Sequence, residues 1–141
     1  MESLRIDTGA VTLSINNDEN RTITFYPTDV HFAEAFFNLV RDFMQHREDV
    51  SRQEEEIKES GGTAAERSAK EVELLRETYA FMRERIDNCF GAGTSEIVFG
   101  DHDSLGAYAS FFRGVEPYVR KARKDELARY SGGDNGTVMD A

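Results

Sequence analysis

Residues 28–90 contain two stretches in which seam positions alternate spacings of four and three, separated by Ser60-Gly61-Gly62-Thr63. Such spacing is typical of helices that pack along a coiled-coil seam. Two consecutive glycines end a helix and let the chain reverse direction. We therefore predict a helical hairpin over residues 28–90 with its apex at residues 60–63. The seam positions are Phe36, Val40, Phe43, Arg47, Val50, Glu54 and Ile57 in the first arm, and Ala65, Ser68, Val72, Leu75, Tyr79, Met82, Ile86 and Cys89 in the second.

Both arms are most apolar at the end away from this apex. The first arm begins with a phenylalanine-rich face and narrows to Val50 and Ile57 among many glutamates, whereas the second arm becomes more apolar toward Ile86. These two apolar ends meet only if the arms are antiparallel, which supports the hairpin independently of the seam spacing. At 1.5 Å per residue, each arm would extend about 40 Å. The half near the apex should be a thin acidic projection.

Residues 4–26 have the pattern of a β-hairpin. Val11, Leu13 and Ile15 alternate with polar residues, as in a strand with one buried face, and the pattern returns at residues 22–26. The polar residues 16–20 between them predict the turn. A lone hairpin is marginally stable in water, so its apolar face needs a cover. We expect this cover to be the start of the first helix or a strand of another subunit.

Residues 91–103 form a predicted loop in which Ile97-Val98-Phe99 is a short buried segment. A phosphate-binding loop is not favoured, because no Lys-Ser/Thr follows the last glycine. Asp101, His102 and Asp103 invite comparison with a metal site, or with a small hydrolase that also uses Glu96. Consecutive residues rarely converge on one ion, and a nucleophile with its base is missing. We favour Asp101 or Asp103 as the cap of the next helix.

A third helix is predicted at residues 104–130, with a kink or break at Pro117, which cannot donate a helical hydrogen bond. Basic residues outnumber acidic ones after this proline. They are explained by the dipole of a helix C-terminus, or by contact with the acidic arm of a neighbouring subunit. Residues 131–141 lack apolar periodicity and predict a flexible tail. The basic residues are Arg120, Lys121, Arg123, Lys124 and Arg129.

These elements predict a single α+β domain over residues 1–130 that is mostly helical, with an N-terminal β-hairpin, a long antiparallel helical hairpin and a C-terminal helix. The formal net charge of −10 argues against nonspecific nucleic-acid binding. No segment approaches the roughly 20 apolar residues that cross a bilayer, and no signal peptide is recognised, so we expect a cytoplasmic protein without membrane contact. Cys89 is the only cysteine and is interpreted as a small buried hydrophobic residue.

The segment Ile86-Asp87-x-Cys89-Phe90-Gly91-x-Gly93-Thr94-Ser95, followed by Val98-Phe99-Gly100-Asp101, resembles phage tail assembly chaperones. These are small proteins of tailed phages and prophages of Gram-positive bacteria. The order of parts is also similar: a short β-start, a charged helical middle, a helix–FG–loop–FG segment and a closing helix.

The resemblance implies a non-enzymatic role in the host cytoplasm during virion assembly. Proteins of this family are thought to coat the helical tape-measure protein and to hand over tail-tube subunits, and they often have a C-terminally extended form made by frameshifting. We expect a homo-oligomer with no catalytic residues, cofactor or metal. The alternative is a cellular coiled-coil adaptor or oligomerisation module, which the same seam supports. Six aromatic residues are predicted to divide between the core and a partner surface: Phe37, Phe43, Tyr79, Phe81, Phe111 and Phe112.

Overall fold

The structure is a computed structural model and describes residues 1–130 of the 141. A two-stranded hairpin precedes four helices, which confirms the predicted α+β, mostly helical fold. The predicted tail at residues 131–141 lies outside the described residues. The elements are β1 (Val11–Ile15), β2 (Asp18–Phe25), α1 (Val30–Glu59), α2 (Ala64–Phe90), α3 (Thr94–Phe99) and α4 (Leu105–Tyr130).

The β-hairpin closes through a shorter turn than the sequence predicts. Asn16 and Asn17 have positive φ angles of 52° and 62°, the backbone of a two-residue hairpin turn that asparagine tolerates. Residues 18–20 therefore belong to β2 and not to the turn. Residues 4–6, at the start of the range predicted as the hairpin, are not part of a strand. The pairs Val11↔Phe25 and Leu13↔Ile23 put the apolar side chains of both strands on one face.

The helical hairpin is defined by local capping. Asp29 caps α1, since its carboxylate accepts a hydrogen bond from the His31 amide at 2.9 Å. At the start of α2, Thr63 and Glu66 form a capping box, with the Glu66 amide 3.1 Å from Thr63 Oγ1. The four residues 60–63 between the two helices make the turn at the apex.

The core lies at the end of the helical hairpin away from this apex, which we call the root. Here α4 runs antiparallel to α1: Tyr108 packs near Phe43 with ring centroids 6.4 Å apart, and further along Arg123 Nη1 donates to Thr28 O at 3.2 Å. The β-hairpin covers the root from the side, where Phe25 of β2 stacks on Phe32 of α1. The fully buried large side chains are Phe25, Phe36, Leu39, Met82, Ile86, Tyr108, Val115 and Val119.

Along the apical half of α2 the predicted seam is wrong. Ala65, Ser68 and Val72 are exposed, whereas Leu74, two residues after Val72, is half-buried beside Ile57. Packing Leu74 buries a larger apolar side chain than packing Val72. The predicted seam is observed from Leu75 to the root.

The predicted loop at residues 91–103 contains a short helix, α3. Ser95, the second residue of α3, is held in place by α2, because the Ser95 amide donates a hydrogen bond to Asp87 Oδ1 at 2.8 Å. The end of α3 is fixed from β2, because the Arg21 guanidinium donates to Ile97 O and Val98 O at 2.8 and 3.0 Å. These long-range hydrogen bonds stabilise a helix too short to be stable alone.

The start and middle of α4 also differ from the prediction. Ser104, and not Asp101 or Asp103, caps the helix, since the Ala107 amide lies 3.1 Å from Ser104 Oγ. The helix runs through Pro117 without the predicted break. Pro117 and the residue four positions before it are both exposed, so water can bind the carbonyl that loses its helical donor.

Candidate partner-binding groove

A cleft of about 410 Å³ opens between α1 and α2 where α4 begins, and we call it the apical groove. It forms because α4 fills the space over the two helices only as far as its first residue, Leu105. Toward the apex, no third helix within residues 1–130 covers the seam. The groove is lined by Phe43, His46, Arg47, Val50, Ser51, Glu54, Leu75, Thr78, Tyr79, Met82 and Leu105.

The floor of the apical groove is continuous with the core. Phe43 and Met82 are buried at its root end, and the Tyr79 ring lies 4.9 Å from the ring of Tyr108. Val50 and Leu75, both half-buried, continue the apolar surface toward the apex. A partner seated here would therefore contact side chains that the core holds in place, while displacing water from apolar surface.

A pair of carboxyl groups crosses the seam at the apical end of the groove. A hydrogen bond with the Glu71 carboxyl raises the pKa of Glu54 above its ordinary value, and partial burial raises that pKa further. Such a hydrogen bond needs one proton between the two groups. When the pair is deprotonated, the repulsion between the two carboxylates opposes the approach of α1 and α2.

We expect Glu54→Gln to raise the free energy of unfolding by about 0.5 kcal/mol at a pH above the raised pKa of Glu54, since it removes this repulsion at a solvent-accessible seam. The folded-state pKa of Glu54 lies above the unfolded value, so the folded protein binds the proton more readily. The free energy of unfolding of the wild type therefore increases as the pH falls through that raised pKa. The stability advantage of Glu54→Gln over the wild type should shrink in the same pH range. Urea unfolding at several pH values measures both effects, with Glu77→Gln, on the exposed side of α2, as the control. A variant advantage that is constant with pH would contradict this assignment.

The six predicted partner residues lie in different environments. Phe43, Phe111 and Phe112 are buried, Phe37 and Tyr79 are half-buried against the core, and Phe81 is 39% exposed. Phe43 and Tyr79 come together in the apical groove, whereas the other four lie outside it. No local pattern in the sequence marks Leu105 as a groove residue, because the position of Leu105 depends on where α4 meets the seam.

The start of α4, and with it the end wall of the groove, is held by Arg83. Its Nε donates to Asp103 Oδ1 at 2.8 Å and its Nη2 donates to Gly100 O at 2.7 Å. The Tyr108 hydroxyl donates to the same Asp103 oxygen at 2.7 Å. Burial, and then the hydrogen bond to Asp103, raise the pKa of the Tyr108 hydroxyl, so it stays protonated as a donor. We call Arg83, Asp103 and Tyr108 the Arg83 cluster.

The Arg83 cluster contains or contacts residues that a hydrolase site at Asp101, His102, Asp103 and Glu96 would use. Asp103 is hydrogen-bonded to Arg83 and Tyr108, and Glu96 lies 3.4 Å from Arg83 Nη1. His102 is exposed. Within residues 1–130, no three His, Cys, Asp or Glu side chains are placed to hold a metal ion. The acidic groups at this position therefore orient a helix start in the structure.

Cys89 packs half-buried against the core. Burial raises the pKa of its thiol to about 12, although Arg85 acts in the opposite direction. The thiol is therefore protonated at neutral pH and is a poor nucleophile or metal ligand. This placement agrees with the interpretation of Cys89 as a small hydrophobic residue.

None of the helices described for residues 1–130 has the length and apolar character needed to cross a membrane. Residues 19–135 match a protein family described as a family of unknown function (DUF6673). No curated protein and no solved structure matches the chain. The matched range begins in β2 and includes the helical hairpin and α4, so it contains every residue of the apical groove.

Proposed function

The chain belongs to the DUF6673 family, and we propose that it is a non-enzymatic phage tail assembly chaperone. In this proposal, the protein binds helical segments of a tape-measure protein in the host cytoplasm and also contacts the tail-tube protein. The observation that carries the proposal is the apical groove, an open apolar seam between two helices. The resemblance of residues 86–101 to phage tail assembly chaperones supports the choice of client.

The shape of the groove favours a helix as its occupant. At the root, the seam between α1 and α2 is already filled by a helix, since Tyr108 of α4 contacts Phe43 on one side and Tyr79 on the other. The apical groove continues the same seam beyond Leu105. A helix in line with α4 would present apolar side chains every three or four residues to Val50 and Leu75. This is the helix-in-groove mode of peptide recognition.

The charge of the arms favours a client with basic residues beside its apolar stripe. Between residues 44 and 78, acidic side chains outnumber basic ones. Asp49 and Glu55 are each partly neutralised within α1, by Arg52 at 3.0 Å and by Lys58 at 3.6 Å. The remaining negative charge would steer a basic segment toward the groove and would disfavour an acidic one.

The test is co-expression with the tape-measure protein that the proposal names as the client. We expect the tape-measure protein to stay soluble and to co-purify with the wild-type protein. The double variant Val50→Glu/Leu105→Glu places two charges on the apolar wall and should weaken binding at least tenfold, about 1.4 kcal/mol. Leu105 is 46% exposed, so its replacement removes little core packing.

The matched control is Val72→Glu, which adds a charge at a 56% exposed position of α2 outside the groove and should bind like the wild type. Circular dichroism melts establish that each variant is folded. A tape-measure protein that is equally soluble without this chain would refute the chaperone proposal. A cellular adaptor would instead leave the tape-measure protein unbound, whichever variant is used.

A further inference from the structure

The sheet of this protein has an open edge. Within residues 1–130, β1 is hydrogen-bonded to β2 on one side and to no strand on the other. A cleft of about 790 Å³, lined by residues of both strands, lies between the hairpin and α4, and we call it the edge cleft. Leu13 and Ile15 of β1 form one wall, and Phe111 and Tyr118 of α4 contribute to the other. An unpaired strand next to an apolar cleft is a template for adding another strand.

The face of α4 toward the edge cleft leaves room for a backbone. Ala107, Ser110 and Gly114 follow one another at helical spacing along the cleft. A Cβ atom at Gly114 would meet no heavy atom within 4 Å. A third strand bonded to β1 would pass over these small residues without steric conflict, and its inward side chains would lie between the hairpin and α4.

The chain itself contains a segment with the pattern of such a strand. Residues 3–8, which we call the leading arm, carry Leu4 and Ile6 on one side, with Arg5 between them. Leu4 is 88% exposed and Ile6 is 72% exposed, although both are large apolar residues. Six extended residues span about 20 Å, similar to the length of a five-residue strand such as β1. The leading arm is thus matched in length and polarity to the open edge.

The base of the leading arm is held away from the edge cleft of its own chain. The Gly9 amide donates to Asp7 Oδ1 at 3.0 Å, and Gly9 has a φ of +65°. Gly9 packs so closely on Thr28, just before α1, that a Cβ atom at this glycine would lie 2.4 Å from Thr28 Oγ1. Residues 1–8 do not line the edge cleft. Pairing with β1 of the same chain would require release of Gly9 from Thr28, whereas pairing with another copy would not.

We propose that the leading arm of one copy adds as a third strand to β1 of a second copy, with Leu4 and Ile6 in the edge cleft. Each copy has one arm and one cleft, so the exchange can close as a reciprocal dimer or as a ring. This surface lies beside the β-hairpin and is separate from the apical groove. The inference therefore does not depend on the proposed function, and failure of one leaves the other standing.

The test is the mass of the full chain in solution, measured by light scattering coupled to size-exclusion chromatography. The wild type should be larger than the 16.0 kDa monomer at high micromolar concentration. Leu4→Ser/Ile6→Ser should raise the dissociation constant at least tenfold and yield monomer. Gly114→Leu should do the same by filling the edge cleft, while remaining helical because leucine is the better helix former.

An equimolar mixture of Leu4→Ser/Ile6→Ser with Gly114→Leu provides the sharpest comparison. One intact arm then meets one intact cleft, so we expect association that neither variant shows alone. Leu127→Ser removes another large apolar side chain, 64% exposed on α4, and should assemble like the wild type. A monomeric wild type would overturn the proposal and would indicate an arm that pairs within its own chain or with no strand. Unchanged assembly of Leu4→Ser/Ile6→Ser would overturn it as well.

Discussion

Replacing Phe36 with alanine is expected to lower the free energy of unfolding by about 3–5 kcal/mol, the range for a fully buried phenylalanine. Phe36 has no exposed surface. Its ring lies between α1, α2 and α4, with centroids 6.2 Å from Phe90 and 6.3 Å from Phe112. Truncation would remove this packing and leave a cavity where three helices meet. The measurement is urea unfolding followed by circular dichroism.

The control for this prediction is Phe81→Ala on α2. It deletes the same side chain, but Phe81 is 39% exposed and contacts mainly the His46 ring and the Arg85 guanidinium. We expect a loss below about 1 kcal/mol, as for most surface substitutions. If Phe36→Ala cost no more than this control, the root would not be the core of the domain.

Replacing Arg83 with methionine is expected to cost about 2–3 kcal/mol, because it leaves partly buried acceptors without their donor. The Arg83 side chain is 19% exposed, while that of Asp103 is 37% exposed, so water compensates part of the loss. Methionine keeps most of the apolar stem and removes the guanidinium, whose central carbon lies 5.8 Å from the centroid of the Phe99 ring. The effect therefore reports the hydrogen bonds to Asp103, Gly100 and His102 more than lost packing.

A double-mutant cycle with Asp103→Asn separates the Arg83 cluster from general destabilisation. The two losses should add to more than the loss in the double variant, because the residues contact each other directly. Arg76→Met, at an exposed position of α2, provides a baseline that should lie within about 0.5 kcal/mol of the wild type. Strict additivity between Arg83 and Asp103 would show that the 2.8 Å contact contributes no stability.

The parts of the fold that follow from the sequence are those fixed by neighbouring residues. The glycine pair at 61–62 and the capping box of Thr63 and Glu66 define the reversal between α1 and α2 within a few positions. The antiparallel arrangement follows from the matching apolar ends of the two arms. For the reversal between α1 and α2, the physical cause acts over one or two helical turns.

The parts that sequence reasoning missed depend on distant contacts. The helix α3 exists because Arg21, more than seventy residues earlier, binds its last carbonyls. Leu74 replaces Val72 at the seam because of where α1 places Ile57. In the candidate site, aromatic character identified Phe43 and Tyr79, but no local pattern indicates that Leu105 would form the end wall. Which surface a helix covers is decided by tertiary packing rather than by periodicity.

The point at which α4 begins also sets a length scale. From Phe43 to Ile57, α1 extends about 21 Å at 1.5 Å per residue, which is roughly four helical turns. Under the proposed function, a single copy would cover only a stretch of that size on an elongated client. The stoichiometry of the complex would rise in proportion to the contour length of the client, one copy for each such interval. Each copy would then cover one interval of the client, and no single copy would enclose it.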